Sequence, residues 1–308
     1  MVTTPRVSIC LPAYNAGAWI EQAVDSALAQ TFQDFELIVA DNASSDDTLE
    51  RVRAFEDPRI TIVCSEHNVG PTLNANRCIE LARAPLVKFL HADDELYPRC
   101  LELMVPVLDE FPRVGIVFSL RDVVLAEPDD PEARSWLARY RTLHEPLGDL
   151  ARVTSGRQVF RRWLELGVHD NLIGEPSAVL IRRECFERLG GFDPRLRVST
   201  DIEMWLRVLL TYDLGFVPEP LCAYRHHSAS ITGVAHRTSA SWLDDLWTLE
   251  SLLRRDLDAE ERQLVRRART LEVRRVAREL PARVARRNID GAGLRRYLGH
   301  RLGGARAA

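Results

Sequence analysis

The chain has 308 residues, 46% hydrophobic and 28% charged, the balance of a soluble globular protein. A net charge of -4 carries no nucleic-acid signal, and no apolar run approaches the ~18 residues of a membrane span. The six cysteines are scattered without a CxxC pair, so they suggest neither a zinc site nor a disulfide framework. Charge is uneven along the chain: residues 251–308 hold 16 Arg against 7 acidic residues, while the first 250 hold 25 basic against 38 acidic. The length allows one large domain with an appendage. The first strand begins within about six residues of the N-terminus, which leaves no room for a signal peptide, so a cytoplasmic protein is expected.

Residues 7–12 are a short apolar run read as a strand, and 13–17 a turn. Trp19, Ile20, Ala23, Val24, Ala27 and Leu28 then recur at helical spacing. A second buried strand, 37–40, ends on Asp41, and the loop 42–47 carries a helix N-cap. A strand at 60–63, a turn at Asn68-Val69-Gly70-Pro71, a helix over 72–82 and a strand over 86–90 follow. Strands alternating with helices in this way predict right-handed βαβ crossovers and a parallel sheet. The fourth strand runs into His91-Ala92-Asp93-Asp94. In a parallel sheet all carboxyl ends lie on one edge, where ligands bind, so Asp41 and the Asp93-Asp94 pair can face one cleft. An Asp at a strand end can also simply cap the next turn, and local sequence does not separate the two.

A helix over 101–111 and a strand over 114–118 come next. Residues 127–148 are polar, Pro-containing and irregular, a surface excursion of the kind that often carries function. A helix over 158–166, a strand over 177–181 and a helix over 183–189 ended by Gly190-Gly191 follow. Thr200 and Glu203 fit a capping box that turns Glu203 back to the Thr200 amide. Asp201 is then free in the first turn, kept ionised by the helix N-terminus, as a general base or as a complement to the dipole. Strands at 214–217 and 221–225 lead to His226-His227, a pair able to supply a metal ligand or an ordinary hydrogen bond. From 240 onward the chain is helical and Arg-rich, either a solvated appendage on the sheet or a basic amphipathic surface for anionic lipid. Lys88, the only lysine, is read as composition rather than function. No GxGxxG, GxxxxGK[ST] or GxSxG is present, which argues against a dinucleotide fold, a P-loop and a nucleophile elbow. A phosphate-bearing ligand would then need a divalent cation, with Asp93-Asp94 the obvious holder.

Four motifs occur in order: VSICLPAYN from Val7, VADNASSDDT from Val39, Asn68-Val69-Gly70, and Phe89-Leu90-His91-Ala92-Asp93-Asp94. Over about residues 5–232 the set closely resembles family 2 glycosyltransferases, inverting nucleotide-sugar enzymes with a GT-A fold. The resemblance implies an α/β, Rossmann-like, mostly parallel sheet flanked by helices, with a C-terminal helical extension. It divides the chain into a GT-A domain at 1–235 (nucleotide-binding part about 1–120, acceptor-binding part about 121–235) and an Arg-rich extension at 236–308. It implies that Pro12, Ala13, Tyr14, Asn15, Asp41, Asn68, Asp93 and Asp94 bind the nucleotide sugar. It makes Asp93, then Asp94, with His227, the holders of a divalent cation, Mg²⁺ or Mn²⁺; His91 stands where many members have the first Asp. It places Asn171, Glu175 and Trp205 on the acceptor side and Asp201 at the catalytic base position.

The implied partners are a nucleotide-diphosphate sugar, UDP being the commonest with dTDP and GDP open, and a hydroxyl acceptor. A glycan, a lipid-linked intermediate and a small molecule all qualify as acceptor, in polysaccharide, glycolipid or natural-product biosynthesis. No nucleic-acid partner is implied, and peripheral membrane contact would run through the basic C-terminal helices. Two rival readings stand beside this. A sugar-nucleotide nucleotidyltransferase would need a Gly-rich, basic loop after the first strand, which residues 12–17 do not form. A non-catalytic nucleotide-sugar-binding relative is kept open by His91.

Overall fold

The computed structural model describes residues 4–230 and 243–285. The first half alternates β1 (Val7–Ala13), α1 (Ile20–Leu28), β2 (Phe35–Asp41), α2 (Thr48–Arg53), β3 (Ile60–Cys64), α3 (Pro71–Leu81) and β4 (Leu86–Phe89). There follow β5 (Glu95–Leu96), α4 (Cys100–Glu110), β6 (Val114–Leu125), α5 (Pro131–Tyr140), β7 (Val153–Thr154) and α6 (Gly156–Leu166). Then come β8 (Val179–Arg182), α7 (Arg183–Leu189), α8 (Thr200–Leu209) and β9 (Asp213–His226), with α9 (Asp244–Leu252) and α10 (Ala259–Ala285) in the extension.

The strands lie in one sheet in the order β3-β2-β1-β4-β8-β6-β9-β5, with β7 on β9. The expected parallel arrangement holds from β3 to β4. Beyond β4 the sheet is mixed: β8 runs antiparallel to both β4 and β6, while β6 and β9 are parallel. This reversal has a consequence for the site. It brings the turn Pro176–Ala178, at the start of β8, beside the end of β4.

Both sheet faces are covered, which is why the strands read as continuous apolar runs rather than as alternation. Ile9 and Leu11 of β1 pack with α1 and α4, whereas Cys10 points the other way, toward α3, α6 and α8. Each fully buried large apolar side chain contributes about 1.5–3 kcal/mol. The extension belongs to the same core, because Leu249, Leu252, Leu257 and Val265 cluster with Trp163 and Trp205. The fully enclosed Glu261 also pairs with Arg157 at 2.5 Å. α10 exposes Arg266, Arg267, Arg274 and Arg278, with Leu271 and Val273 exposed among them. Trp242, the boundary near 235 and the tail beyond 285 lie outside the described residues. Among the described residues no helix is long and apolar enough to cross a membrane.

Besides the unexpected two-residue strands β5 and β7 and the run of β6 on to Leu125, two regions differ from the sequence expectation. The irregular excursion contains α5: the Asp130 carboxylate accepts the Glu132 amide at 3.0 Å and Pro131 takes the first helical position. Trp136 stacks on His226 at 4.3 Å and on Tyr224 at 5.6 Å, holding α5 over β9. The two expected late strands are one, β9. Its ladder shifts register where Pro218 and Pro220 interrupt it, but the strand continues.

Candidate active site

The first part of the site is a cradle at the carboxyl ends of β1 and β2. Asp41 closes β2 and is buried; its Oδ2 accepts the Ser44 amide at 3.1 Å, and its Oδ1 is buried with no partner among the described residues. An unpartnered buried acceptor is costly, and a ligand N–H or O–H there would satisfy it. After Pro12 the carbonyl of Ala13 accepts the Asn42 amide at 2.9 Å. Asn15 adopts φ 47°, which turns its amide to Ser44 Oγ (3.0 Å) and its Oδ1 to the Ser45 amide (2.8 Å). Tyr14, half exposed, stands above this turn. Asn68 accepts from Asn42 Nδ2 at 3.0 Å and from the Gly70 amide at 2.8 Å, so its oxygen shapes the cradle floor.

The second part is the acidic corner after β4. Asp94 is 2% exposed and fully committed: Oδ2 accepts from Ser177 Oγ at 2.6 Å and Oδ1 from the Arg225 amide at 2.9 Å. Burial, with the neighbouring Asp93 charge, pushes it well above the usual carboxylate range. Asp94 therefore acts as a strut joining β4, the turn before β8, and β9. The Asp93 side chain remains 29% exposed and meets His227 Nε2 at 3.0 Å. Burial acts to raise Asp93, but the His227 hydrogen bond and the nearby His91 and His227 outweigh it, so Asp93 stays below its ordinary value.

His91 is part of this corner rather than a gap in it. Ligand atoms of His91, Asp93 and Asp94 all lie within 4.8 Å of one another. Burial lowers the His91 pKa, which favours the neutral imidazole that can ligate a metal. Donor set and spacing thus fit a divalent cation, with Asp93 the open carboxylate.

The third part is Asp201, in the first turn of α8. Its Oδ2 accepts from Asn171 Nδ2 at 2.8 Å and its Oδ1 from the Ile202 amide at 2.8 Å. Burial pushes its pKa up to about 7, with the Glu175 charge adding; the hydrogen bonds from Ile202 and Asn171 pull the other way and lose. The expectation that the helix N-terminus keeps it fully ionised is corrected: enclosure of the carboxyl group outweighs the dipole. Asn171 also donates to the Gly174 carbonyl at 2.7 Å and accepts its amide at 2.9 Å. Gly174 sits at φ 115°, and a Cβ there would lie 2.9 Å from the Ala178 methyl, so the turn requires glycine.

The capping box is not formed. Glu203 is 1% exposed and faces inward, accepting from Arg207 Nε at 2.8 Å and Ser251 Oγ at 2.9 Å. Arg207 in turn donates to the carbonyls of Leu189, Gly190 and Gly191. The extension instead anchors the loop that leads into α8: Asp244 Oδ2 accepts the amides of Arg197, Val198 and Ser199 at 3.0, 2.7 and 3.0 Å, and no side chain caps the helix. Asp244→Ala is expected to destabilise the protein by about 2–4 kcal/mol, because one buried and two part-buried N–H groups lose their acceptor. Chemical denaturation checks this, and a loss below about 1 kcal/mol contradicts it. Trp205 is likewise corrected: it is fully enclosed and donates its indole N–H to the Gly174 carbonyl at 3.1 Å, supporting the acceptor-side segment from beneath.

Three groups escaped sequence reasoning. Arg121 forms a two-pronged pair with Glu175 at 2.5 and 3.1 Å and donates to the Tyr140 carbonyl at 3.0 Å. Glu175 acts electrostatically on His91, Asp94 and Asp201, and the segment 171–177 touches both sites: Asn171 donates to Asp201, and Ser177 donates to Asp94 and accepts the His91 amide at 3.0 Å. Lys88 is fully buried and donates to the Ser177 carbonyl at 2.6 Å, fixing the turn that carries Ser177. Arg225 lies over Trp19 at 4.4 Å and donates to the Asp93 carbonyl at 3.0 Å, closing the corner. The isolated lysine was a usable signal; the partners of Arg121 and Arg225 are too distant in sequence to be read.

A polar cradle, an acidic corner and a partly buried carboxyl group at a helix start, set on a half-parallel sheet, are in keeping with the layout of the GT-A class. The solved structures agree on this fold. S. aureus TarS 1-349 in complex with UDP-GlcNAc gives a TM-score of 0.67 at 17% identity, covering 84% of this chain and 70% of that one. The mannosyltransferase PcManGT from Pyrobaculum calidifontis, in complex with GDP-Man and Mn²⁺, gives 0.58 at 20% identity, covering 98% and 83%. The family model for glycosyl transferase family 2 matches residues 8–165. The uncharacterized protein MT1568 of Mycobacterium tuberculosis (strain CDC 1551 / Oshkosh) is 34% identical over 240 residues, 78% of this chain and 73% of that relative. The chain belongs to glycosyltransferase family 2 and is a sugar-transferring enzyme.

Proposed function

We propose that this glycosyltransferase transfers a sugar from a nucleoside-diphosphate sugar to an acceptor hydroxyl by a single inverting displacement, with Asp201 as general base. The observation that carries this reading is the setting of Asp201: its carboxylate accepts from Asn171, on the segment whose Ser177 binds Asp94 and the His91 amide, and burial pushes its pKa up to about 7. A base with a pKa near the working pH combines a usable deprotonated fraction with real proton affinity. Asp201 takes the acceptor proton as the hydroxyl oxygen attacks the anomeric carbon from the face opposite the leaving diphosphate.

Asp41 Oδ1 and the Pro12–Asn15 turn receive the nucleoside, with Tyr14 beside them. UDP is the first donor to test, because TarS is solved with UDP-GlcNAc; PcManGT, solved with GDP-Man, keeps GDP sugars open. Asp93 and His91, with Asp94 and His227 behind them, would hold Mg²⁺ or Mn²⁺, which when bound neutralises charge on the leaving diphosphate. Polysaccharide, glycolipid and natural-product biosynthesis are the settings in which such a transfer fits.

The pH dependence tests this assignment. Only deprotonated Asp201 accepts the proton, so kcat/KM should fall about tenfold per unit as pH drops below about 7, and level off above it. Steady-state turnover between pH 5 and 9 reads this. A profile flat down to pH 5 excludes Asp201 as the base.

A further inference from the structure

We propose that the cleft between β6 and α5 is the acceptor site, and that it takes a sugar acceptor carrying a phosphate ester, held by Arg134 and Arg141. This rests on the assignment of Asp201 as the base. The cleft has a volume of about 750 Å³, enough for a sugar and its substituent. Arg134, Leu137, Ala138 and Arg141 line it, spaced as one stripe of a helix. The other stripe, Ala133, Trp136 and Tyr140, packs inward, with Trp136 stacked on β9. α5 is thus held with its two arginines over the cleft.

The floor is aromatic. Phe118 stacks on Phe216 at 4.7 Å, and the His144 ring lies against both, at 6.4 and 5.3 Å. The Phe118 and His144 rings, inclined to each other by 55°, give the cleft an aromatic wall against which the C–H face of a sugar can rest while arginines hold an anion at one end.

The charges select the anion. Arg121, also in the wall, is neutralised by Glu175. Asp122, the acid among the lining residues, accepts from the Tyr97 hydroxyl at 2.7 Å. Arg134 makes one hydrogen bond, to the Asp129 carbonyl at 3.1 Å, and the Arg141 guanidinium makes none among the described residues. Two guanidiniums with no ion-pair partner among the described residues outweigh the single Asp122 carboxylate and match a phosphate monoester, with about 1.5–2 negative charges, better than a single carboxylate.

The cleft borders the segment that orients the base. Gly174 lines it, and the Asn171 Nδ2 that donates to the Gly174 carbonyl also donates to Asp201. One amide group therefore separates the acceptor wall from the base.

The test uses the full chain with its donor site saturated by UDP and Mn²⁺, at low ionic strength. Isothermal titration calorimetry compares N-acetylglucosamine 1-phosphate, N-acetylglucosamine and glucuronic acid. The phosphate ester is expected to bind at least tenfold more tightly than either other probe. Arg134→Ala/Arg141→Ala should lose that advantage, Arg134→Lys/Arg141→Lys should keep most of it, and UDP affinity should be unchanged in both. Both arginines are exposed, so neither exchange threatens folding. Equal binding of the ester and the neutral sugar, or full ester affinity in the alanine variant, overturns the proposal. Tighter binding of glucuronic acid overturns the phosphate assignment. A wild-type protein that does not bind UDP overturns the donor reading and this proposal with it, whereas UDP binding without discrimination among the probes overturns the acceptor site alone.

Discussion

Asp201→Asn is expected to lower sugar transfer by about 10³-fold or more while leaving UDP affinity within about twofold. Asparagine is nearly the same shape and its oxygen can still accept the Ile202 amide, but it gives up the acceptor for Asn171 Nδ2 and cannot take a proton. The same exchange should raise stability, and the sign follows from linkage. Folding moves the Asp201 pKa from 3.8 up to about 7, so the folded chain holds this proton more tightly than the unfolded chain. That contribution is complete below the unfolded value and is lost as pH rises through about 7. A neutral asparagine escapes the loss, so the variant should be more stable than wild type at pH 8 by about 1–3 kcal/mol, discounted for partial exposure. At pH 4 the two should be equal. A variant that is more stable at pH 8 yet inactive marks a group kept for chemistry at the expense of the fold. Turnover at the wild-type level contradicts the assignment outright.

Asp93→Ala is expected to weaken donor binding in Mn²⁺ at least tenfold and to abolish any effect of EDTA on it. Asp93 is the open member of the corner, so truncation removes a ligand without leaving a buried hole. Asp94→Ala makes the contrast. Its carboxylate joins Ser177 to the Arg225 backbone, so its loss should lower stability by about 2–3 kcal/mol and weaken donor binding only through disorder of the corner. Calorimetric titration of UDP with and without EDTA separates the two variants. Donor binding by Asp93→Ala that remains strong and EDTA-sensitive removes Asp93 from the metal site.

The parts of this site written in short-range pattern were legible in the sequence. Apolar runs of strand length marked β1, β2 and β4, because a sheet covered on both faces buries every side chain along a strand. Asp41 and Asp93 were visible because each follows such a run, and Asp201 because it follows a helix start. Roles set by distant partners were not legible. Glu203 matches the local capping pattern, but Arg207 and Ser251 offer its buried carboxylate stronger partners, and the loop before the helix is held by Asp244, 45 residues beyond Ser199. Trp205 looked available to an acceptor until burial placed it beneath Gly174. α5 was hidden in a polar stretch whose Asp130-Pro131 pair is in fact a helix start. The reversal of β8, which puts Ser177 beside His91, depends on strand order, and a local pattern does not encode strand order.

The most direct test of the central claim is turnover of a panel of UDP-, dTDP- and GDP-sugars by the full chain with Mn²⁺, followed by mass spectrometry in wild type and Asp201→Asn. Release of nucleoside diphosphate from at least one donor by wild type, with the variant binding that donor but releasing none, is the predicted result. Donor binding without release by either protein would identify a non-catalytic nucleotide-sugar-binding relative and contradict the account.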